Sequence, residues 1–544
     1  MNLLSVSGPR EGLQLIDFLG VVLYLLVTAG IVYRSSRRQG NTEEYFLGGR
    51  RMPWLAVGLS LLATLMSSIS YMGVPGEMIG RGVAMFAQYL ALPFSMAVVL
   101  LLWVPFFMRL QFTSAYEYLE RRFDERVRAT GSLLFLFLRL GWMSMVMYVG
   151  SLALTQMTGS LVPAEMRDSL LYWIIVGVGL SATVYSTFGG FRAAIWNDVL
   201  QSLMLLGGTL VTLLYVYWTT GTGPAEWWTI TSAHSAKHTA PIIFSWDPTV
   251  RMTIVTAGML SFFWTICTHG SDQVVLQRYV STASLSAARR SYIVNALTDL
   301  TIGCLLALCG LALLAFYFQH PTFLPQDILS EVDGHVVVHH GDRVLPYFFA
   351  HQLPPGIGGV ILAVLICDAM QTLVSGVNSI SAVFTTDLFS RLQGKTWGWI
   401  NDITFAKLLT VVVGLVVTAL AVGVAYLAQN SKSNIIEMMG PAFNMFLGPL
   451  ASLFLIGMFT RGNSQVVLIS IVCSVVISFF WSYSGILFGP KYQMTITLTS
   501  GVPYLSSYLI AVILGLFIRS SPDDPRLQYT WRNVMQRPLP PERA

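Results

Sequence analysis

The sequence predicts an all-α polytopic membrane protein with a five-plus-five inverted-repeat transporter core, about 13 transmembrane helices, the N-terminus outside and the C-terminus cytoplasmic. Three observations carry that expectation. The 544 residues are 54% hydrophobic and only 11% charged, with a mean hydropathy of +0.64, which fits a multispanning chain and not a soluble enzyme. Apolar runs of about 20 residues recur along the whole chain. Two of them, opening the two halves, are interrupted by polar residues and helix breakers, a recurring way to build a carrier site at membrane depth.

The runs fall near residues 16–33, 54–80, 84–108, 131–159, 170–188 and 197–218, then 249–271, 291–318, 355–386, 403–427, 435–459, 464–485 and 502–519. Residues 1–53 read as an additional helix and cytoplasmic loop, 54–218 as the first repeat and 219–248 as an outer loop. Residues 249–459 read as the second repeat with its own outer loop at 319–354, 460–519 as two further helices and 520–544 as a cytoplasmic tail. The first run is too long and too poorly flanked for a cleaved signal peptide. With the N-terminus outside, 22 basic residues fall in cytoplasmic segments, Arg278 among them, and 8 in outer ones, a positive-inside bias. An odd number of spans per half then makes the halves opposite in topology.

The interruption in the first half lies between Leu59 and Gly80. Thr64, Ser67, Ser68 and Ser70 precede Gly73, Pro75 and Gly76. Proline lacks an N–H and glycine weakens a helix, so backbone groups here need other partners. Such groups are tolerated in hydrocarbon only where they are buried in protein or line a wet cavity. The second half answers with Thr268, His269, Gly270, Ser271, Asp272 and Gln273. Inside the apolar runs, Asp198, Asp368 and Arg139 are costly charges and therefore functional candidates. Asp368 sits one turn before Thr372 and shares its face.

Other chemistries lack support. The sequence has no phosphate-binding glycine loop, no H-E-x-x-H pair and no G-x-S-x-G elbow, so no enzyme and no organic cofactor is expected. The net charge of +5 follows from the positive-inside bias and needs no nucleic acid. The five cysteines lie in or beside apolar segments without metal-ligand spacing, as small hydrophobes do. The adjacent His339 and His340 have no carboxylate or cysteine partner for a metal.

Several stretches together resemble the sodium:solute symporter family, which contains bacterial galactose, proline and sialic acid carriers and animal glucose, iodide and multivitamin carriers. They are EYFLGGRRMPWLAVGLSLLATLMSS at 44–68, AYEYLERRFDERVR at 115–128, YSTFGGFRAAIWNDVLQ at 185–201, SDQVVLQRY at 271–279, VSGVNSISAVFTTD at 374–387 and MMGPAFNMFLGPLASLFLIGMFTRGNS at 438–464. The resemblance implies sodium-driven uptake of a small organic solute, a sugar, acidic sugar or carboxylate; a bacterial inner membrane is the expected location. The sequence has no N-x-S/T acceptor, which is compatible with that location.

The resemblance also implies site residues. The main sodium site would take the carbonyls of Ala63 and Met66 with Asp368, Gln371 and Thr372. Gln371 stands where the family usually has a small hydroxyl residue, and Asp368 where a small residue is commoner. Asp198, with Gln201 and Ser202 on its face, matches an aspartate that contributes to a second sodium site in some members, so one or two sodium ions are expected. Solute positions map to Ser67, Ser70, Asp272 and Gln273, with Gln88 and Tyr89 as further pocket candidates. Arg139 is read as an anion-recognising fork or as the partner of an internal acid. The alternatives are a proton-coupled carrier with Asp368 titrating, and a solute-sensing receptor without flux.

Overall fold

The computed structural model describes residues 12–36, 42–110, 112–234, 240–323, 328–332, 335–338, 341–385, 402–429, 445–518, 521 and 523–541. It is nearly all helical. Helix α1 (Asp17–Ser36) is followed by the pair α2 (Trp54–Leu65) and α3 (Ser68–Arg81), which meet at 62°. A single helix expected over 84–108 is instead a mixed run from Val83 to Leu110. It starts as 3₁₀ turns (Val83–Ala91) and carries a π segment at Val99–Trp103.

Helix α4 spans Glu125–Thr158. The two runs expected at 170–188 and 197–218 are two helices joined across a kink within α5 (Arg167–Thr220), where Gly190 takes φ 61° and ψ −169°. That backbone angle favours glycine, so the kink between the two helices falls at the Gly189-Gly190 pair. In the second half α6 (Ile254–Ser271) and α7 (Gln273–Val280) are separated by Asp272, whose ψ of 119° is extended. Helices α8 (Leu285–Gln319), α9 (Ile357–Phe384), α10 (Asp402–Gln429), α11 (Met445–Phe459), α12 (Ser464–Ser482) and α13 (Gly501–Phe517) follow.

The two outer segments read as loops contain structure. A helix spans Pro224–His234, and the second segment holds an antiparallel hairpin, β1 (Leu329–Val332) with β2 (His335–Val338), and a helix at Gly341–His351. The histidine pair at 339–340, the first part of the 435–459 run and the end of the 374–387 motif lie outside the described residues.

Helix α9 packs on α5, α4 and α1, and α2 packs on α8 and α5. Helix α1 is pinned to the start of α9 by the buried Asp17 carboxylate, which accepts from the N–H of Gly356 at 2.6 Å and of Gly359 at 3.1 Å. A carboxylate at a helix N-terminus is favoured by the unpaired donors and the dipole there. The tail residues 523–541 fold back on the helices: Trp531 stacks on Phe459 at 6.1 Å, and Arg109 Nε donates to the Arg537 carbonyl at 3.2 Å.

Candidate functional site

The last rung of α2 is the bond from Met66 N–H to the Leu62 carbonyl, 2.7 Å. Met66 (φ −86°, ψ 129°) and Ser67 (φ −135°, ψ 174°) are then extended before α3 begins. The carbonyls from Ala63 onward thereby lose their helical partners, and the first N–H groups of α3 lose theirs. Opposite this break, α9 aligns Asp368, Gln371, Thr372 and Ser375 on one face, the spacing of successive turns. Gln371 Nε2 reaches Thr64 Oγ1 at 3.5 Å and Ser375 Oγ at 3.4 Å, and Gln201 donates to Asp368 Oδ1.

This junction holds a set of unsatisfied buried atoms. Asp368 Oδ2, Gln371 Oε1, Thr372 Oγ1, Ser67 Oγ and Ser68 Oγ have no hydrogen-bond partner among the described residues. Buried oxygens are almost always partnered. A dehydrated hard cation wants several such oxygens at once, and the donor set therefore fits sodium as the transported ion.

A second charge centre lies against Ser375, on the side of the other broken helix. Arg278 was expected in a cytoplasmic loop; it is instead buried, with 1% of its side chain exposed. Its Nη2 donates to Asp198 Oδ2 at 2.9 Å and to Ser375 Oγ at 2.9 Å, its Nε to Ser60 Oγ at 2.8 Å and its Nη1 to the Val274 carbonyl at 2.8 Å. The physical reason is Asp198, which is fully buried and supplies the counter-charge that an arginine needs there. Ser60 also donates to Asp198, while Asp198 Oδ1 is left without a partner. Ser202 donates to the Leu59 carbonyl at 2.9 Å, so Gln201 and Ser202 serve the two helix neighbours and not Asp198.

The expected solute residues separate. A cavity of about 240 Å³ is walled by Met66, Ser70, Gln88 and Tyr89 together with Trp142, Trp264, Tyr292, Asn295 and Asp299. The 3₁₀ turns at Val83–Ala91 are what turn Gln88 and Tyr89 inward. Arg139 and Asp272 instead form a buried pair in which Arg139 Nε donates to Asp272 Oδ1 at 3.2 Å and Nη2 donates to Oδ2. They border a smaller adjoining cavity. Asp272 also caps α7 by accepting from Val274 N–H at 2.9 Å. Gln273 is tied to backbone outside the main cavity, accepting from Ala115 N–H at 2.7 Å and donating to the Thr113 carbonyl at 2.8 Å. Ser67 sits at the helix break itself.

Among the cavity residues of α6 and α8 that the sequence reading does not mark are Trp264, Tyr292, Asn295 and Asp299. Asp299 was detectable by the same rule that marked Asp368, a carboxylate inside an apolar run. Tyr292, Asn295 and Asp299 share one helical face by their spacing.

A helix broken at mid-length, with unpartnered buried side-chain oxygens at the break and a cavity beside it, defines an ion-coupled secondary carrier. The family model for the sodium:solute symporter family matches residues 45–473, and the chain belongs to that family. It is a sodium-coupled symporter. The chain is 30% identical over 458 residues to the sodium/sialic acid symporter SiaT of Proteus mirabilis (strain HI4320), covering 84% of this chain and 86% of that one. It is 29% identical over 495 residues to the human sodium/iodide cotransporter, covering 90% and 72%. A solved structure of a Na⁺-coupled sialic acid symporter, substrate-bound and outward-open, superposes with a TM-score of 0.79 at 28% identity, covering 93% of this chain and 98% of that one.

Proposed function

We propose that this symporter imports a small organic solute, a sugar, acidic sugar or carboxylate, into a bacterial cell across the inner membrane by alternating access. The observation that carries the reading is the junction of the α2–α3 break with Asp368, Gln371 and Thr372. Sodium binds there through the Ala63 and Met66 carbonyls, the Thr372 hydroxyl and the Asp368 carboxylate. The solute occupies the 240 Å³ cavity that Met66 and Ser70 share with that junction. Ion and solute thus bear on the two sides of one break, so each organises the segment the other needs, which is the physical content of coupling. A solute carboxylate would be met by the free N–H groups opening α3, the positive end of a half-helix.

Two five-helix repeats of opposite topology, thirteen spans in all and a cytoplasmic C-terminus complete the reading. Paired interruptions at Met66–Ser67 and Asp272 support the repeat, and the basic residues support the orientation. The Asp198 carboxylate is already neutralised by Arg278, which supports a single sodium ion at the α9 junction. The relatives named for sialic acid and iodide support an anionic group on the solute.

The test is uptake into proteoliposomes after a thermal-shift screen of sugars, sialic acids, amino acids and carboxylates in sodium or potassium. Sodium-dependent accumulation that survives a proton uncoupler is expected. Accumulation that follows a proton gradient without sodium would overturn it in favour of Asp368 carrying a proton, and sodium-independent binding without flux would favour a sensor.

A further inference from the structure

The solute cavity contains a half-buried carboxylate, Asp299, with no ion-pair partner among the described residues. Its wall is mostly apolar and aromatic; Asp299 is the one carboxylate among its lining residues, and the one histidine there, His269, is bonded through Nδ1 to Tyr279 Oη at 2.5 Å. Asp299 lies on α8, one turn after Asn295 and two after Tyr292, and Tyr89 OH donates to its backbone carbonyl at 3.5 Å. Tyr89 and Tyr292 both lie within electrostatic range of its carboxylate. No ion pair to Asp299 occurs among the described residues, whereas the two buried arginines nearby are each closed by their own acid, Arg139 by Asp272 and Arg278 by Asp198.

A carboxylate in an apolar, aromatic cavity is costly unless something positive reaches it. Among the described residues no cationic side chain pairs with it. The tyrosines and the indoles of Trp142 and Trp264 also present aromatic rings to the cavity, surfaces that attract a cation and stack poorly with an anion.

We propose that Asp299 is a specificity residue that pairs with an ammonium centre on the transported solute, the aromatic walls enclosing that centre. The inference rests on the reading of this cavity as the solute site of a sodium-coupled carrier. It adds the charge pattern of the cargo: an acid group on the solute faces the opening of α3, and an amine faces α8. A solute with only an acid group would leave Asp299 uncompensated.

The experiment is a thermal-shift and competition series on the full chain with matched pairs that differ in charge at one position. Proline is set against cyclopentanecarboxylate, glucosamine against glucose, and choline against 3,3-dimethylbutanol, each in sodium and in potassium. The expected result is stabilisation by the ammonium-bearing member of at least one pair and not by its match. That effect weakens by more than about tenfold in D299N and is restored in D299E. The wild-type comparison stands even if D299N fails to fold. Absence of any ammonium-bearing binder overturns the proposal, as does sodium-dependent binding of a solute without an ammonium group at equal affinity in D299N, which leaves sodium coupling intact. Discrimination within a pair that is the same in sodium and potassium supports Asp299 as the selector and removes the sodium-coupled reading instead.

Discussion

Arg278 and Asp198 form an ion pair at 2.9 Å in which the two side chains are 1% and 0% exposed. They join α7, the second half-helix of the second break, to α5, and Ser60 of α2 bonds to both. Three helices from both halves therefore share one buried charge centre.

Removing Arg278 leaves a sealed carboxylate with only hydroxyl partners. R278M is expected to cost about 3–5 kcal/mol, the range for breaking a buried pair from one side. D198N combined with R278M should recover part of that loss, because neither charge then remains. Melting of the purified variants in detergent checks both points. Equal melting of R278M and the wild type would remove the pair from any structural role.

Arg139 tests the division between structural and solute-binding charge. D272N removes the acid but retains a side chain able to cap α7, since asparagine caps as well as aspartate. R139Q and D272N are each expected to destabilise, and R139Q/D272N to lie nearer the wild type than the sum of the two. Sodium-dependent solute binding should follow stability in all three. A selective loss of solute affinity in R139Q, with D272N unaffected, would show that the guanidinium leaves Asp272 for the solute.

Thr372 separates ion binding from folding. Its hydroxyl is buried and unpartnered, so in potassium T372A should melt at or above the wild-type temperature, because an unsatisfied polar group has gone. In sodium the stabilising shift should shrink, since ligand stabilisation scales with affinity. A loss of one ligand is expected to raise half-saturating sodium about tenfold, or ~1.4 kcal/mol. An unchanged sodium shift would move the ion away from α9.

How far these features could be read from sequence follows from the range of the interactions behind them. The α2–α3 break is marked locally by the hydroxyl residues Thr64, Ser67, Ser68 and Ser70, which flank the extended Met66–Ser67, whereas the expected breakers Gly73, Pro75 and Gly76 lie inside the continuous helix α3; the kink at Gly190 follows from a glycine pair. The Asp368–Thr372 face needs only the helical period. Arg278 was read as a loop residue because it follows an apolar run near a boundary, and what buries it is Asp198, 80 positions away. Arg139 left two readings open for the same reason. Asp299 was passed over because the run at 291–318 stays apolar on average around it, so the hydropathy that finds a helix hides the one charge in it. The helices inside the outer segments rest on packing against α3, α4 and α8, which no local pattern announces.

Gly303 links the fold to the cavity most directly. It stands one turn after Asp299 on α8, and a Cβ placed there would lie 1.5 Å from the Tyr89 hydroxyl. The absence of a side chain is what admits the Tyr89 ring to the wall above Asp299. In G303A the ring must leave, and it can, because the clash is with the far end of a side chain and the helix itself favours alanine by about 1 kcal/mol. The melting temperature in potassium is therefore expected to hold or rise, while affinity for the solute found in the screen falls at least about tenfold, with half-saturating sodium in the absence of solute unchanged. A variant that keeps solute affinity would show that Tyr89 does not shape the solute site. One that loses sodium binding as well would show that the α8 face and the α2–α3 break act as a single unit.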